Sequence, residues 1–359
     1  MVMKAVRLFE FGGPDKLVYG DYPMPEPGPG DVLVKVLATS VSRWDVKYRI
    51  GEVHEFYGKG GIPGRKPFPM PMQLGRDAVG DVAAVGAGVA AFKAGDRVLG
   101  LTNPENAQSL ASIRGLGNLS GGVDLPGHTM FGAYAQYVCR PESYWMKLSP
   151  AVDLDQAAAA MWPCATSHRI VTNRLNLRVN DSVLVTGASG GMGTAAMQLA
   201  KLAGATVIAS TRHAGKAGDL RQAGADFVID SSRADALNEI RRLTNGEGVD
   251  AAVEFTGAPA LMRLCIDALR LGGTFCPVGG ETKEIPIKVV DVVSKELNVH
   301  GIRGATRNDQ RIVAELLAKG HIRMPIHAVL PLSQAGEAHR LLESSKDLVG
   351  RIVLHPWDD

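Results

Sequence analysis

The feature that most constrains this chain is an alternation of apolar runs and helical patterns that begins near residue 180. "DSVLVTG" reads as a buried strand, and "GMGTAAMQLAKLAG" has helical spacing ended by glycine. "TVIAS" is the next strand, followed by the helix "GKAGDLRQAGA" and the strand "FVID". The helix "ADALNEIRRLT", the strand "VDAAVEF", the helix "APALMRLCIDALRLG" and the strand "TFCPVG" continue the series. Strands that alternate with helices of this length imply a parallel, doubly wound sheet. Right-handed crossovers then put helices on both of its faces.

Between the first strand and first helix lies Gly187-Ala-Ser-Gly-Gly-Met-Gly193. Glycines here let the backbone approach a pyrophosphate, and a helix N-terminus supplies N–H donors. The dinucleotide pattern Gly-x-Gly-x-x-Gly is met as Ala188-x-Gly190-x-x-Gly193, with Gly191 and Met192 between, so its first glycine is missing. Alone, the turn is equally well a tight strand-to-helix connection; within repeated βα units it reads as a dinucleotide loop. An acidic residue at the end of the second strand would select NAD. Here the run is Ser210-Thr211-Arg212-His-Ala-Gly-Lys216, with no carboxylate before Asp219. Ser210 can bond a 2′-phosphate and Arg212 or Lys216 can pair with it, unless the two cations only face solvent. The expected cofactor is therefore NADPH, with NADH as the alternative.

The preceding part differs in texture. Short strand patterns such as "DVLVKVLATSV" and "AGDRVLGL" are separated by turn clusters such as "PMPEPGPGD", which suggests a compact β-barrel-like domain. Asn103–Thr129 reads as a long loop or lobe. At 359 residues the chain is long enough for two domains. A net charge of +2 without basic runs argues against nucleic-acid or anionic-membrane partners. No apolar run suits a signal peptide or a membrane span. Cys139, Cys164, Cys265 and Cys276 are scattered without metal spacing, as expected of reduced thiols in a cytoplasmic protein.

Nearly the full length resembles the medium-chain dehydrogenase/reductase superfamily. The likeness is carried by "PEPGPGDVLVKVLATSVSRWDV", "LGRDAVGDVAAVGAGVAAFKAGDRV", "GAYAQYV", "SVLVTGASGGMGTAAMQLAKLAGA", "ELNVHGIRGATRNDQRIVAELLAKG" and "VGRIVLHP". The resemblance implies an α/β architecture: a GroES-like β-barrel catalytic domain over 1–155, a doubly wound Rossmann domain over 156–300, and a return to the catalytic domain over 301–359. It places the active site in the cleft between them. It further implies cofactor contacts from Thr166, from Thr256 and Gly257, and from Val278, Gly279 and Gly280. Arg351 would reach the cofactor phosphates, or be a strand-end surface charge. A homodimer or homotetramer is the default assembly.

Zinc alcohol dehydrogenases of that superfamily carry Cys-x-x-Asp and Gly-His-Glu segments. The matching stretches here read Ser42-Arg-Trp-Asp45 and Gly75-Arg76-Asp77. A serine hydroxyl is a poor zinc ligand and a guanidinium is none. Cys164 matches the third ligand only with a local shift, and Asn103–Thr129 lacks the four cysteines of the structural-zinc lobe. No zinc is expected at either site. Zinc-free branches resemble quinone and enoyl reductases, in which NADPH reduces the C=C of a carbonyl-conjugated small molecule. Arg76 would then stabilise the developing enolate, helped by Ser42. Asp45 would pair with Arg76, either as part of the site or as a buried ion pair that fills the vacated zinc pocket. Tyr48, His54 and Tyr57 are proton-donor candidates or ordinary loop residues; Trp44 lines the pocket or belongs to the core. A carbonyl reductase acting without zinc and a protein that only binds NADPH are the alternatives.

Overall fold

The strand Asp31–Val41 organises the first part of the computed structural model, which describes residues 1–54, 68–280 and 284–358. The chain divides into two compact units. One comprises Met1–Trp162, Ala305–Ser345 and Arg351–Asp359, the other Pro163–Gly304 and Lys346–Gly350.

In the first unit, β1 (Val2–Leu8) pairs antiparallel with β2 (Leu17–Pro23). Asp31–Val41 is β3, followed by the short helix α1 (Arg43–Arg49). β4 (Val79–Val85), β5 (Arg97–Gly100), β6 (Tyr137–Pro141) and β7 (Trp145–Lys147) come next. Val32, Val34 and Val36 of β3 share a face and enter a core with Ala78, Val82, Val98, Val138 and Trp145. Between β5 and β6, Asn103–Thr129 holds one helical turn, Leu110–Ile113, and a 3-10 turn, and is otherwise loop. The helix α2 (Leu154–Arg169) contains Pro163 and the boundary between the units.

The second unit is built on six strands, with every pairing parallel. They are β8 (Ser182–Thr186), β9 (Thr206–Thr211), β10 (Phe227–Asp230), β11 (Val249–Glu254), β12 (Leu269–Pro277) and β13 (Asn298–Val299). Its helices are α3 (Gly191–Leu202), α4 (Ala217–Gln222), α5 (Ala236–Leu243), α6 (Pro259–Ala268) and α7 (Val289–Lys295). The sheet order is β10-β9-β8-β11-β12-β13, so the direction of winding reverses between β8 and β11. In open α/β sheets that point is where ligands bind. One element differs from the pattern reading: the helix expected to run to Gly272 stops at Ala268. Leu269 is already extended and paired with Val249, and Gly272 takes φ +71°. Strand pairing overrides helical periodicity there.

The chain then returns to the first unit. α8 (Arg307–Ala318) is capped by Thr306 and Asp309, and β14 (Ile326–Pro331), α9 (Ala335–Ser344) and β15 (Arg351–His355) follow. β15 pairs antiparallel with β3, Val353 opposite Ser40, which brings Arg351 to the β3 end that leads into α1.

Candidate active site

Ser42 follows β3 and caps α1. Its hydroxyl accepts from Asp45 N at 3.2 Å and donates to Asp45 Oδ2 at 2.5 Å, and its own N–H reaches the same oxygen at 2.8 Å. This reciprocal capping box fixes the helix start. Asp45 Oδ1 accepts from Gly75 N at 3.2 Å, so both carboxylate oxygens are occupied by the chain. Gly75 is required there: φ is +94°, and a Cβ would lie 2.8 Å from Tyr134 N.

The expected Asp45–Arg76 pair does not form. Asp45 is saturated by Ser42 and Gly75, and Arg76 turns elsewhere: Nε donates to Thr102 O at 2.9 Å and the guanidinium lies 4.8 Å from the Trp162 ring centroid. Thr102 is itself held by Gln310 of α8, whose Oε1 accepts from Thr102 N at 2.8 Å. Ser42 also departs from its expected part. Its single proton is committed to Asp45, which makes it a helix cap.

Asp77, visible in the sequence as a charge beside Arg76 but given no role there, is the hub of the buried charges. Oδ2 accepts from Ser40 Oγ at 2.7 Å and from Arg351 Nη2 at 3.0 Å, and Oδ1 from Trp162 N at 3.1 Å. Arg351 also donates to Ser40. The guanidinium expected to reach cofactor phosphates is thus held by Asp77 and Ser40 within its own unit. Burial pushes the carboxyls of Asp45 and Asp77 above the ordinary range, although Arg351 opposes the shift in both. Nearby, the Tyr134 hydroxyl lies 3.1 Å from His339 Nε2. Burial, assisted by Arg49, pulls the His339 imidazole down to about 3, so it is neutral at physiological pH.

The remaining candidates on this side lie apart from these groups' bonds. Tyr48 OH is 2.8 Å from His128 Nδ1, and both rings pack on Phe68. His54 packs on Phe11 and Phe68, Trp44 is half-buried against Tyr48, and Tyr57 lies outside the described residues.

In the second unit the phosphate loop has the form a dinucleotide requires. Gly187 takes φ +66° at the end of β8, and Gly190 stands at the N-cap of α3 with no side-chain cap over the helix amides. A Cβ on Gly193 would fall 2.6 Å from Ala188 Cα, whereas one on Gly190 would meet only Gly187 O, at 3.5 Å. Ala188 is fully buried and Gly191 and Met192 open the helix. Ser210 Oγ, near the end of β9, and Thr166 Oγ1 are buried without a hydrogen-bond partner among the described residues, as hydroxyls awaiting a ligand would be. These features fit a nicotinamide dinucleotide. Thr211 and Arg212 follow Ser210, and Arg212 is exposed. Lys216, however, is buried and donates to Leu348 O at 2.8 Å, so its charge is turned inward.

Glu254, also unforeseen, gathers the strand ends on the other side of the winding switch. Its Oε1 accepts from Thr256 N and its Oε2 from Gly257 N, each at 2.7 Å, and its carbonyl accepts from Val278 N at 2.8 Å and Gly279 N at 3.1 Å. Gly257 and Gly280 pack backbone to backbone with φ of +76° and +74°.

Comparison with known proteins agrees with this geometry. Residues 28–150 match the alcohol dehydrogenase GroES-like domain, and residues 191–319 match the zinc-binding dehydrogenase family. An NAD-dependent alcohol dehydrogenase of Sulfurisphaera tokodaii is 30% identical over 99% of this chain and 100% of its own. The chain belongs to the medium-chain dehydrogenase/reductase superfamily. A quinone oxidoreductase of Rattus norvegicus is 29% identical over 98% of both chains. A crystal structure of an NAD-dependent alcohol dehydrogenase superposes with a TM-score of 0.89 at 32% identity, covering 98% of this chain and 99% of that one. This medium-chain dehydrogenase/reductase is accordingly an NAD(P)-dependent oxidoreductase with a GroES-like and a Rossmann-like domain. Among the described residues, no group of three or more His, Cys, Asp or Glu side chains is placed to hold a metal ion. Cys164 is buried in α2. No described helix is long and apolar enough to cross a membrane.

Proposed function

We propose that this enzyme reduces a C=C bond conjugated to the carbonyl of a small molecule, with NADPH and without zinc. One observation carries the reading. The residue aligned with the zinc-binding histidine is Arg76, held by Thr102 and Trp162, and its two Nη groups make no hydrogen bond within the described residues. A tethered guanidinium is a fixed positive charge with donors to spare, which suits a developing enolate oxygen. Bound NADPH supplies the hydride. The chain's own part is to hold the carbonyl oxygen at Arg76 and to admit a proton to the α-carbon from solvent or a side chain.

The cofactor preference rests on Ser210 and Arg212, now without Lys216. Relatives named quinone oxidoreductase support a conjugated carbonyl compound as the substrate, and relatives named alcohol dehydrogenase support carbonyl reduction as the second reading. Four free cysteines support a reducing compartment, the cytoplasm. The exposed Val289, Val290 and Val293 of α7 support a homo-oligomer.

Arg76→Met and Arg76→Lys test the assignment by steady-state kinetics on an enone panel. Loss of one oxyanion donor predicts a kcat lower by about 10²–10³ for Arg76→Met, with partial recovery in the lysine variant. NADPH affinity should stay within a factor of about two, because the role given to Arg76 is to hold the substrate oxygen and not the cofactor. An unchanged kcat would remove Arg76 from the mechanism. Tight NADPH binding with no turnover across the panel would favour a binding protein.

A further inference from the structure

Arg140 is a cation set into an apolar core. It lies on β6 opposite Val32 of β3 and is 1% exposed. Its guanidinium sits 5.2 Å from the ring centroid of Trp145, which belongs to a core with Val98, Ala78 and Tyr144. The fit is close: a Cβ on Gly100 would come 2.9 Å from Nη1. Yet Nε, Nη1 and Nη2 all lack an acceptor among the described residues, and so does Nε1 of the fully buried Trp145.

A ring face offsets only part of the cost of burying a charge whose N–H groups have no acceptor. Loss of the proton does not relieve it. Burial, with Arg76 adding repulsion, lowers Arg140 only to about 9, which leaves it charged at neutral pH. Neighbouring carboxylates do not relieve it either. Asp77 spends its oxygens on Ser40, Arg351 and Trp162 N, and Asp45 spends its own on Ser42 and Gly75. Among the described residues no carboxylate bonds to the Arg140 guanidinium itself.

We propose that the core of the first unit binds one small monovalent anion, a halide of chloride size, on the guanidinium of Arg140 with Trp145 Nε1 as a further donor. Arginine and the indole N–H are donors only. A water there would bring two protons of its own into a setting of donors and apolar side chains. A halide accepts from all of them and offsets the charge of Arg140 where it sits.

Crystals of the full chain grown with bromide in place of chloride test this directly. An anomalous bromide peak within hydrogen-bonding distance of the Arg140 nitrogens is expected. Density at Arg140 explained by water alone would overturn the proposal. In solution, thermal unfolding is followed by tryptophan fluorescence at fixed ionic strength, with gluconate exchanged for chloride. The wild-type midpoint should rise with chloride, as linkage requires of a ligand bound only by the folded state. Arg140→Met should lose that response, and an equal response in both proteins would overturn the site. Should Arg140→Met fail to fold, Trp145→Phe keeps an aromatic ring but removes the N–H. Its chloride affinity should fall at least severalfold, and unchanged affinity would remove the indole from the site.

Discussion

Replacing Arg351 by methionine should destabilise the first unit heavily, and in a way that depends on pH. Arg351 Nη2 lies 3.0 Å from Asp77 Oδ2, with both side chains at most 8% exposed. At that separation and an effective dielectric near 20, the gross attraction is about 5–6 kcal/mol. Desolvation of the two charges cancels much of it in the native protein. Removing only the cation, however, strands Asp77 and takes from Asp45 its nearby positive charge. The expected loss at pH 8 is about 3–5 kcal/mol. The assay is urea denaturation read by tryptophan emission, since all four tryptophans (Trp44, Trp145, Trp162 and Trp357) belong to the first unit. Burial already raises the Asp77 carboxyl, and the variant raises it further. The folded state then binds a proton that the unfolded state does not, so the variant regains stability as pH falls from 8 toward 5. Asp77→Asn in the same chain should restore most of the deficit. A loss below about 1 kcal/mol, a deficit indifferent to pH, or a double variant as unstable as the sum of the singles would refute the reasoning.

His339 carries a second pH effect with the opposite sign. Its folded value near 3 lies below the ordinary 6.5, so stability should fall by up to about 1.4 kcal/mol per pH unit below 6.5. His339→Gln should flatten that slope in urea titrations at pH 4.5 to 7; an unaltered slope would place the acid sensitivity elsewhere. Ser42→Ala should cost about 1–2 kcal/mol through the lost cap of α1, while kcat holds within about threefold. A large kcat loss with intact stability would return Ser42 to the chemistry. Arg212→Ala should raise the KM for NADPH about tenfold and leave that for NADH unchanged, as double-cofactor kinetics would show. Equal effects on both would mean that Arg212 does not read the 2′-phosphate.

What the sequence disclosed follows from how local each signal is. The βα series was legible because strand and helix periods are written in consecutive residues, and the phosphate loop because its glycines answer to backbone geometry at one turn. Partnerships across long separations were not. Asp77 meets Arg351 only because β15 pairs with β3, and Lys216 turns inward to the carbonyl of Leu348. Arg76 and Asp77 were visible as adjacent charges, yet nothing local says that one goes to Thr102 and the other to Arg351. Asp45 left a clearer trace: Ser42-x-x-Asp45 has the spacing of a capping box, and that alone could have claimed both side chains for the start of α1. Glu254 left one as well, a carboxylate that follows the apolar residues Ala251, Ala252 and Val253 at the end of its strand.

The central claim is that hydride goes to carbon of a C=C bond with no zinc involved. The most direct measurement uses NADPH deuterated at the transferable position, a simple enone, and buffer containing a zinc chelator, with the product analysed by NMR and mass. Deuterium on the β-carbon of a saturated ketone is the predicted result. Deuterium on the carbinol carbon of an allylic alcohol, or turnover abolished by the chelator, would contradict it.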